Sequence, residues 1–193
     1  MRLTNSRDGF GLIAVMLHWV IAVAILYMIW LGEYMTDAED YDAYQLHKSL
    51  GITILVLSLL RLMIRFIDPP PPLPDHMPWW ERLGAHLSHW AFYALMIGIP
   101  LSGWAMVSAS PNSDFVKTRI WGWFELPLLP SLSTLDNREA VANRLEDVHG
   151  LLATSVYFLL ALHVLAALKH HFWDRDNVLT RMLPFLPKPR KST

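Results

Sequence analysis

Four apolar segments dominate this 193-residue chain, and each is long enough to cross a lipid bilayer. They run from about Phe10 to Leu31, Gln45 to Ile67, Leu83 to Val107 and Val148 to Phe172, 22–25 residues apiece. At 1.5 Å of helical rise per residue, about 20 residues span the ~30 Å hydrocarbon layer. That layer offers no water to backbone N–H and C=O groups, so such segments cross it as helices. The spacing predicts an all-α protein, an integral membrane four-helix bundle formed as one domain over residues 1–193. Hydrophobic residues make up 53% and charged residues 17%, against about 45–50% and about 25% for a soluble domain. Membrane lipid is therefore the first expected partner.

Arg2 and Arg7 precede the first segment, as basic residues precede a cleaved signal. Its apolar run exceeds the usual ~7–15 residues and no small-x-small cleavage site follows, so it reads as a retained helix. A linker over 68–78 contains Pro69 to Pro72 and Pro74 and is expected to be extended, because proline cannot continue a helix and favours polyproline geometry. Gly98-Ile99-Pro100 predicts a kink inside the third segment, not a break. In the loop 108–147, Trp121, Trp123 and Phe124 are expected at the membrane interface.

Both termini of a four-span chain share a side, and that side with its flanks carries eleven of the sixteen lysines and arginines. The positive-inside rule places both termini in the cytoplasm. In a bacterium the protein then sits in the inner membrane, with the other loops facing the periplasm. A formal net charge of −1 argues against nucleic acid as a partner. With no cysteine in the chain, disulfides, thiolate-held iron–sulfur clusters and covalently attached haem are excluded.

Four of the nine histidines, His18, His47, His149 and His163, lie within or at the mouth of an apolar segment. Ionisable residues at membrane depth are costly and mark functional sites, although a single one can simply hydrogen-bond a neighbouring helix. Here depth and rotation sort them. His149 and His163 are fourteen residues apart, which is ~21 Å of rise and a return to within about 40° of one face. His18 matches the depth of His163, and His47 matches that of His149. The expected pairs are His18 with His163 and His47 with His149. Zinc gathers four ligands at one point, which two groups ~21 Å apart cannot supply. Haem needs two axial ligands from the protein, so four histidines hold two b haems. Arg61, fourteen residues after His47, is a candidate partner for a haem propionate; snorkelling to the headgroups is its other reading, and that of Arg65. His170 lies seven residues past His163, on nearly the same face and ~10 Å nearer the cytoplasm, where a quinone head group can enter from lipid. His171 points about 100° away, and His86 and His89 stand at the cytoplasmic start of the third segment.

The stretches Leu17-His18-Trp19, His47-Lys48-Ser49-Leu50-Gly51-Ile52 through Arg61-Leu62, Ala85-His86-Leu87-Ser88-His89, and His163 through Lys169-His170-His171-Phe172-Trp173 to Asn177 resemble the bacterial diheme cytochrome b561 family. That family is related to the cytochrome b subunits of nickel–iron hydrogenases. The resemblance covers nearly the whole chain and is weakest over 108–147. It implies two haem b groups held from helices one, two and four, and electron exchange with membrane quinone. The type it most resembles oxidises superoxide at the periplasmic face and reduces ubiquinone, with a histidine matching His170 at the quinone. Bis-histidine ligation closes both axial positions, so each haem passes only electrons. On the expected periplasmic side eleven acidic residues face five basic ones, which discourages an anion such as superoxide unless Lys48 steers it locally. The alternative is an electron-relay anchor that links a periplasmic redox protein to the quinone pool.

Overall fold

The structure, a computed structural model, describes residues 2–7, 9–115 and 117–187. Four long helices carry the chain: α1 (Leu12–Ala38), α2 (Tyr41–Ile67), α3 (Trp79–Ala109) and α5 (Arg138–Phe172), with a single-turn α4 (Pro130–Ser133) before the last. All four long helices have the length and apolarity to cross a membrane. Their large side chains turn outward mid-helix: Val23 is 62% exposed, Phe158 70% and Leu162 65%. In water such surface would aggregate; in lipid it is the contact face.

Each long helix runs beyond the apolar segment read from sequence at one end or both: α1 at its C-terminal end, α2 and α5 at their N-terminal ends, and α3 at both. The largest extension is at α5, which begins at Arg138 and not near Val148. Hydropathy marks only the part of a helix that meets lipid, and backbone hydrogen bonding continues past it. α1 and α2 are separated by Glu39 and Asp40 alone. Glu39 takes a left-handed φ of 49°, and the Asp40 carboxylate accepts the Asp42 and Ala43 N–H groups at 2.9 and 3.3 Å, capping α2. α3 continues through Pro100.

The chain divides into two compact units, each containing part of all four long helices. The first takes the described residues up to Val20, Leu60–Tyr93 and those from Val156 on. Here the proline run lies outside any helix or strand, and arginines answer carbonyls of the linker. Arg82 donates to the carbonyls of Pro74, Asp75 and Met77 at 2.7–3.1 Å, and Arg181 to that of Pro72 at 2.6 Å. Lys188, Arg190 and Lys191, which contribute to the charge count behind the expected orientation, lie outside the described residues.

The second unit takes Ile21–Leu59 and Ala94–Ser155. It includes a hairpin of β1 (Arg119–Ile120) and β2 (Phe124–Glu125), turned through left-handed φ values at Trp121 and Gly122. The hairpin is fastened to the first turns of α2. Ser49 Oγ accepts the Trp121 N–H, Trp121 Nε1 donates to Thr53 Oγ1, and Gln45 bonds both Lys117 O and the Arg119 N–H. Trp123 and Phe124 stay exposed, as residues meant for a membrane interface do.

Candidate functional site

In the second unit α2 and α5 bring His47 and His149 together, with ring centres 6.2 Å apart and planes at 66°. Two metal–imidazole bonds of roughly 2 Å each, extended to the ring centres, span about 6 Å. This pair therefore stands at the separation of two axial ligands. The His149 tautomer is fixed by α3. Its Nδ1–H donates to the Ile99 carbonyl at 3.1 Å, with Ser102 Oγ at 3.0 Å, and Ser102 Oγ itself donates to Ile99 O at 2.8 Å. Nε2 is left with its lone pair, the arrangement a metal-ligating histidine uses. His47 Nδ1 is buried without a hydrogen-bond partner among the described residues. A buried polar atom of that kind costs about 1–3 kcal/mol, a cost that coordination or a bound group removes.

Gly103 lets α3 come this close to the ring. A Cβ there would lie 3.2 Å from His149 Cε1 and 3.4 Å from Nδ1. Gly103→Ala is expected to displace the ring, destabilise the protein by about 1–3 kcal/mol and lower the haem content of this site. Haem-to-protein ratio and thermal unfolding of the purified variant test this, and wild-type values in both would show that the helices absorb the methyl group. Ser102 and Gly103 were missed in sequence. Small residues in an apolar helix carry little signal, and the kink expected nearby was assigned to Gly98-Ile99-Pro100 alone.

In the first unit His18 of α1 and His163 of α5 have ring centres 6.3 Å apart and planes at 53°. His89 of α3 comes equally near His163, at 6.1 Å, and Phe92 packs edge-on at 5.3 Å. Arg61 Nη1 lies 3.0 Å from His18 Nδ1. Guanidinium only donates, so Nδ1 accepts in this contact. A neutral ring offering Nε2 to iron carries its proton on Nδ1, so ligation there requires Arg61 to turn away, which releases it for an anionic group. Arg65 lies over the Tyr93 ring at 6.0 Å.

His170 is placed apart from these pairs, at the end of α5, and is only 8% exposed. Its Nδ1 lies 2.7 Å from Asp176 Oδ2 and 3.0 Å from Asp174 Oδ2, and Nε2 lies 3.8 Å from Glu81 Oε2. Lys169 joins Glu81 and Asp174, and His76 Nε2 approaches Asp176 Oδ2 at 3.6 Å. His76, Met77, Pro78, Glu81, Lys169, His170 and Asp174 line a cavity of about 320 Å³, within the ~300–1,000 Å³ range of small-molecule sites. Glu81, His170 and Asp174 also have a spacing that suits a metal ion, but the Lys169 ammonium already occupies the two carboxylates. The carboxylates around His170 and the place of His76 were not anticipated. Asp174 has i+4 spacing from His170, although it and Asp176 both lie past the end of α5 at Phe172. His86 is exposed, and His171 packs edge-on against Phe172.

Membrane-length helices with histidines paired between them define a multi-pass membrane cytochrome. The profile of the prokaryotic cytochrome b561 family matches residues 9–185, and the chain belongs to that family. It is 36% identical to cytochrome b561 homolog 2 of Escherichia coli (strain K12) over 189 residues, covering 95% of each chain. It is 32% identical to the probable superoxide oxidase CybB of Yersinia pestis over 173 residues, 87% of this chain and 92% of the relative. Cytochrome b561 homolog 1 of Escherichia coli (strain K12) is 31% identical over 187 residues, 92% of this chain and 98% of the relative. The protein is thus a membrane-embedded oxidoreductase of electron transport that works with b-type haem.

Proposed function

We propose that this protein is a superoxide:quinone oxidoreductase of the bacterial inner membrane, with both termini cytoplasmic. Superoxide is oxidised to dioxygen at the periplasmic face, and ubiquinone or a similar quinone is reduced at the other. The observation that carries this reading is the pair of bis-histidine arrangements with ring centres 6.2 and 6.3 Å apart. His47 with His149 would hold one haem b and His18 with His163 a second, with Arg61 released to a propionate. When bound, the haems supply one-electron transfer, because filled axial positions leave no place for oxygen chemistry. His170, in its cavity, receives the quinone head group. The likeness to the probable superoxide oxidase CybB of Yersinia pestis supports superoxide as the electron donor.

Eleven acidic residues against five basic ones on the proposed periplasmic side favour a second reading, in which the acidic surface docks a cationic periplasmic redox protein and this chain relays its electrons. Local charge decides between them. Lys117 is paired with Glu125 at 3.5 Å. Lys48, next to His47, is partly buried with Nζ 3.4 Å from Thr118 Oγ1, beside the hairpin. As a superoxide oxidase, the purified protein is reduced by a superoxide pulse in stopped flow at ~10⁸ M⁻¹s⁻¹ or faster, with no partner present. Lys48→Gln lowers that rate by about threefold to tenfold, the order of local steering. Slow reduction by superoxide, with fast reduction by a co-purified periplasmic protein, overturns the oxidase reading in favour of the relay.

A further inference from the structure

The quinone cavity contains a device whose purpose the surrounding charges make legible. His170 is buried, and its Nδ1 faces two carboxylate oxygens, Asp176 Oδ2 at 2.7 Å and Asp174 Oδ2 at 3.0 Å. A carboxylate only accepts, so Nδ1 must carry a hydrogen whatever the charge of the ring. Asp176 is itself anchored, since its Oδ1 accepts the Val178 N–H at 2.9 Å. Nε2 is thereby the ring atom left to exchange protons. The groups around it are Glu81 from α3, whose Oε2 is 3.8 Å away, and Lys169 on its own helix, which pairs with Glu81 and Asp174. His76 meets the same Asp176 oxygen from the proline linker at 3.6 Å and is 63% exposed.

We propose that Asp176 is a positioning residue for quinone reduction, locking His170 so that Nε2 alone hands a proton to, or takes one from, the quinone oxygen in the cavity. The proposal rests on the reading of that cavity as the quinone site. In the reducing direction the quinone needs two electrons, which bound b-type haem would supply one at a time, and two protons, one from His170 and one from water. At His170 one N–H bond breaks at Nε2 and one O–H bond forms on the quinone, the ring keeping the electron pair. In reverse, the Nε2 lone pair accepts the hydroxyl proton of a quinol. Both directions need Nδ1–H to stay in place, which is what two carboxylates enforce and an amide does not. An asparagine at 176 can present its own N–H to Nδ1 and admit the wrong tautomer.

The test uses Asp176→Asn, Asp176→Glu and the double variant Asp174→Asn/Asp176→Asn in the full haem-loaded protein, with both haem spectra as the check on folding. ¹⁵N NMR of histidine-labelled, reduced protein without quinone reads the tautomer directly. Wild type and Asp176→Glu are expected to show His170 protonated at Nδ1, and the double variant a substantial Nε2–H population. With ubiquinone-1 as acceptor, the turnover of Asp176→Asn is expected to fall at least tenfold with KM within about twofold, and Asp176→Glu to recover most of it. An unchanged tautomer in the double variant, or a loss confined to KM, overturns the positioning role. Failure of the quinone site itself has a separate signature: ubiquinone-1 turnover that is indifferent to His170→Ala, whatever the tautomer.

Discussion

On the proposed two-haem ligation, replacing His163 with alanine should leave the purified protein with one haem in place of two. The pyridine haemochrome content should fall by about half, and one set of low-spin bands should vanish while the other stays. His163 faces both His18 and His89, at 6.3 and 6.1 Å, so its loss strips the site of a ligand under either pairing. The partner is then found by difference. His18→Ala should reproduce the loss, because the proposed ligation takes its second ligand from α1. His89→Ala should keep both haems, since the proposed ligation gives its ring no iron to hold. Full haem content in His18→Ala together with loss in His89→Ala would exchange their roles. Electron flow to quinone should stop in His163→Ala, a larger effect than any change in the shell around the site.

Replacing His170 with alanine should separate binding of haem from delivery of electrons. Both haems should remain, because His170 is seven residues beyond His163 on α5 and its contacts are Asp174, Asp176 and, more distantly, Glu81. Oxidation of the reduced protein by ubiquinone-1 should slow by about 100-fold or more, the usual contribution of a positioned acid–base group. Removal of the imidazole also leaves the Asp176 and Asp174 carboxylates without the Nδ1–H they share, so some loss of stability is expected beside the kinetic effect. Unaltered quinone kinetics would send the site towards His86 and His89.

The juxtaposition of the four histidines was legible because a helix converts residue number into depth and rotation with little freedom, so fourteen residues between His149 and His163 constrain where their partners can stand. The membrane character was legible for the same reason, as apolar length is a direct physical requirement. Helix ends were not. α5 begins ten residues before its apolar segment, because water and headgroups tolerate a polar helix and leave no mark in hydropathy. Groups that act through backbone proximity were equally hidden. Gly103 matters through the side chain it lacks, and the Ile99 carbonyl carries no residue-type signal. Asp176 reaches His170 only after the chain has turned out of its helix, which helical periodicity does not follow.

α5 supplies one histidine to each compact unit, His149 to one and His163 to the other, while His47 and His18 come from helices made earlier. Synthesis runs from the N-terminus, so the tightly turned α1–α2 pair enters the membrane carrying two lone imidazoles. Neither has its partner until the last helix arrives. If these pairs hold haem as proposed, cofactor loading is tied to completion of the chain, because a product lacking α5 would carry two half-sites. On the proposed ligation, such a protein would gain both redox centres together, at the final step of insertion.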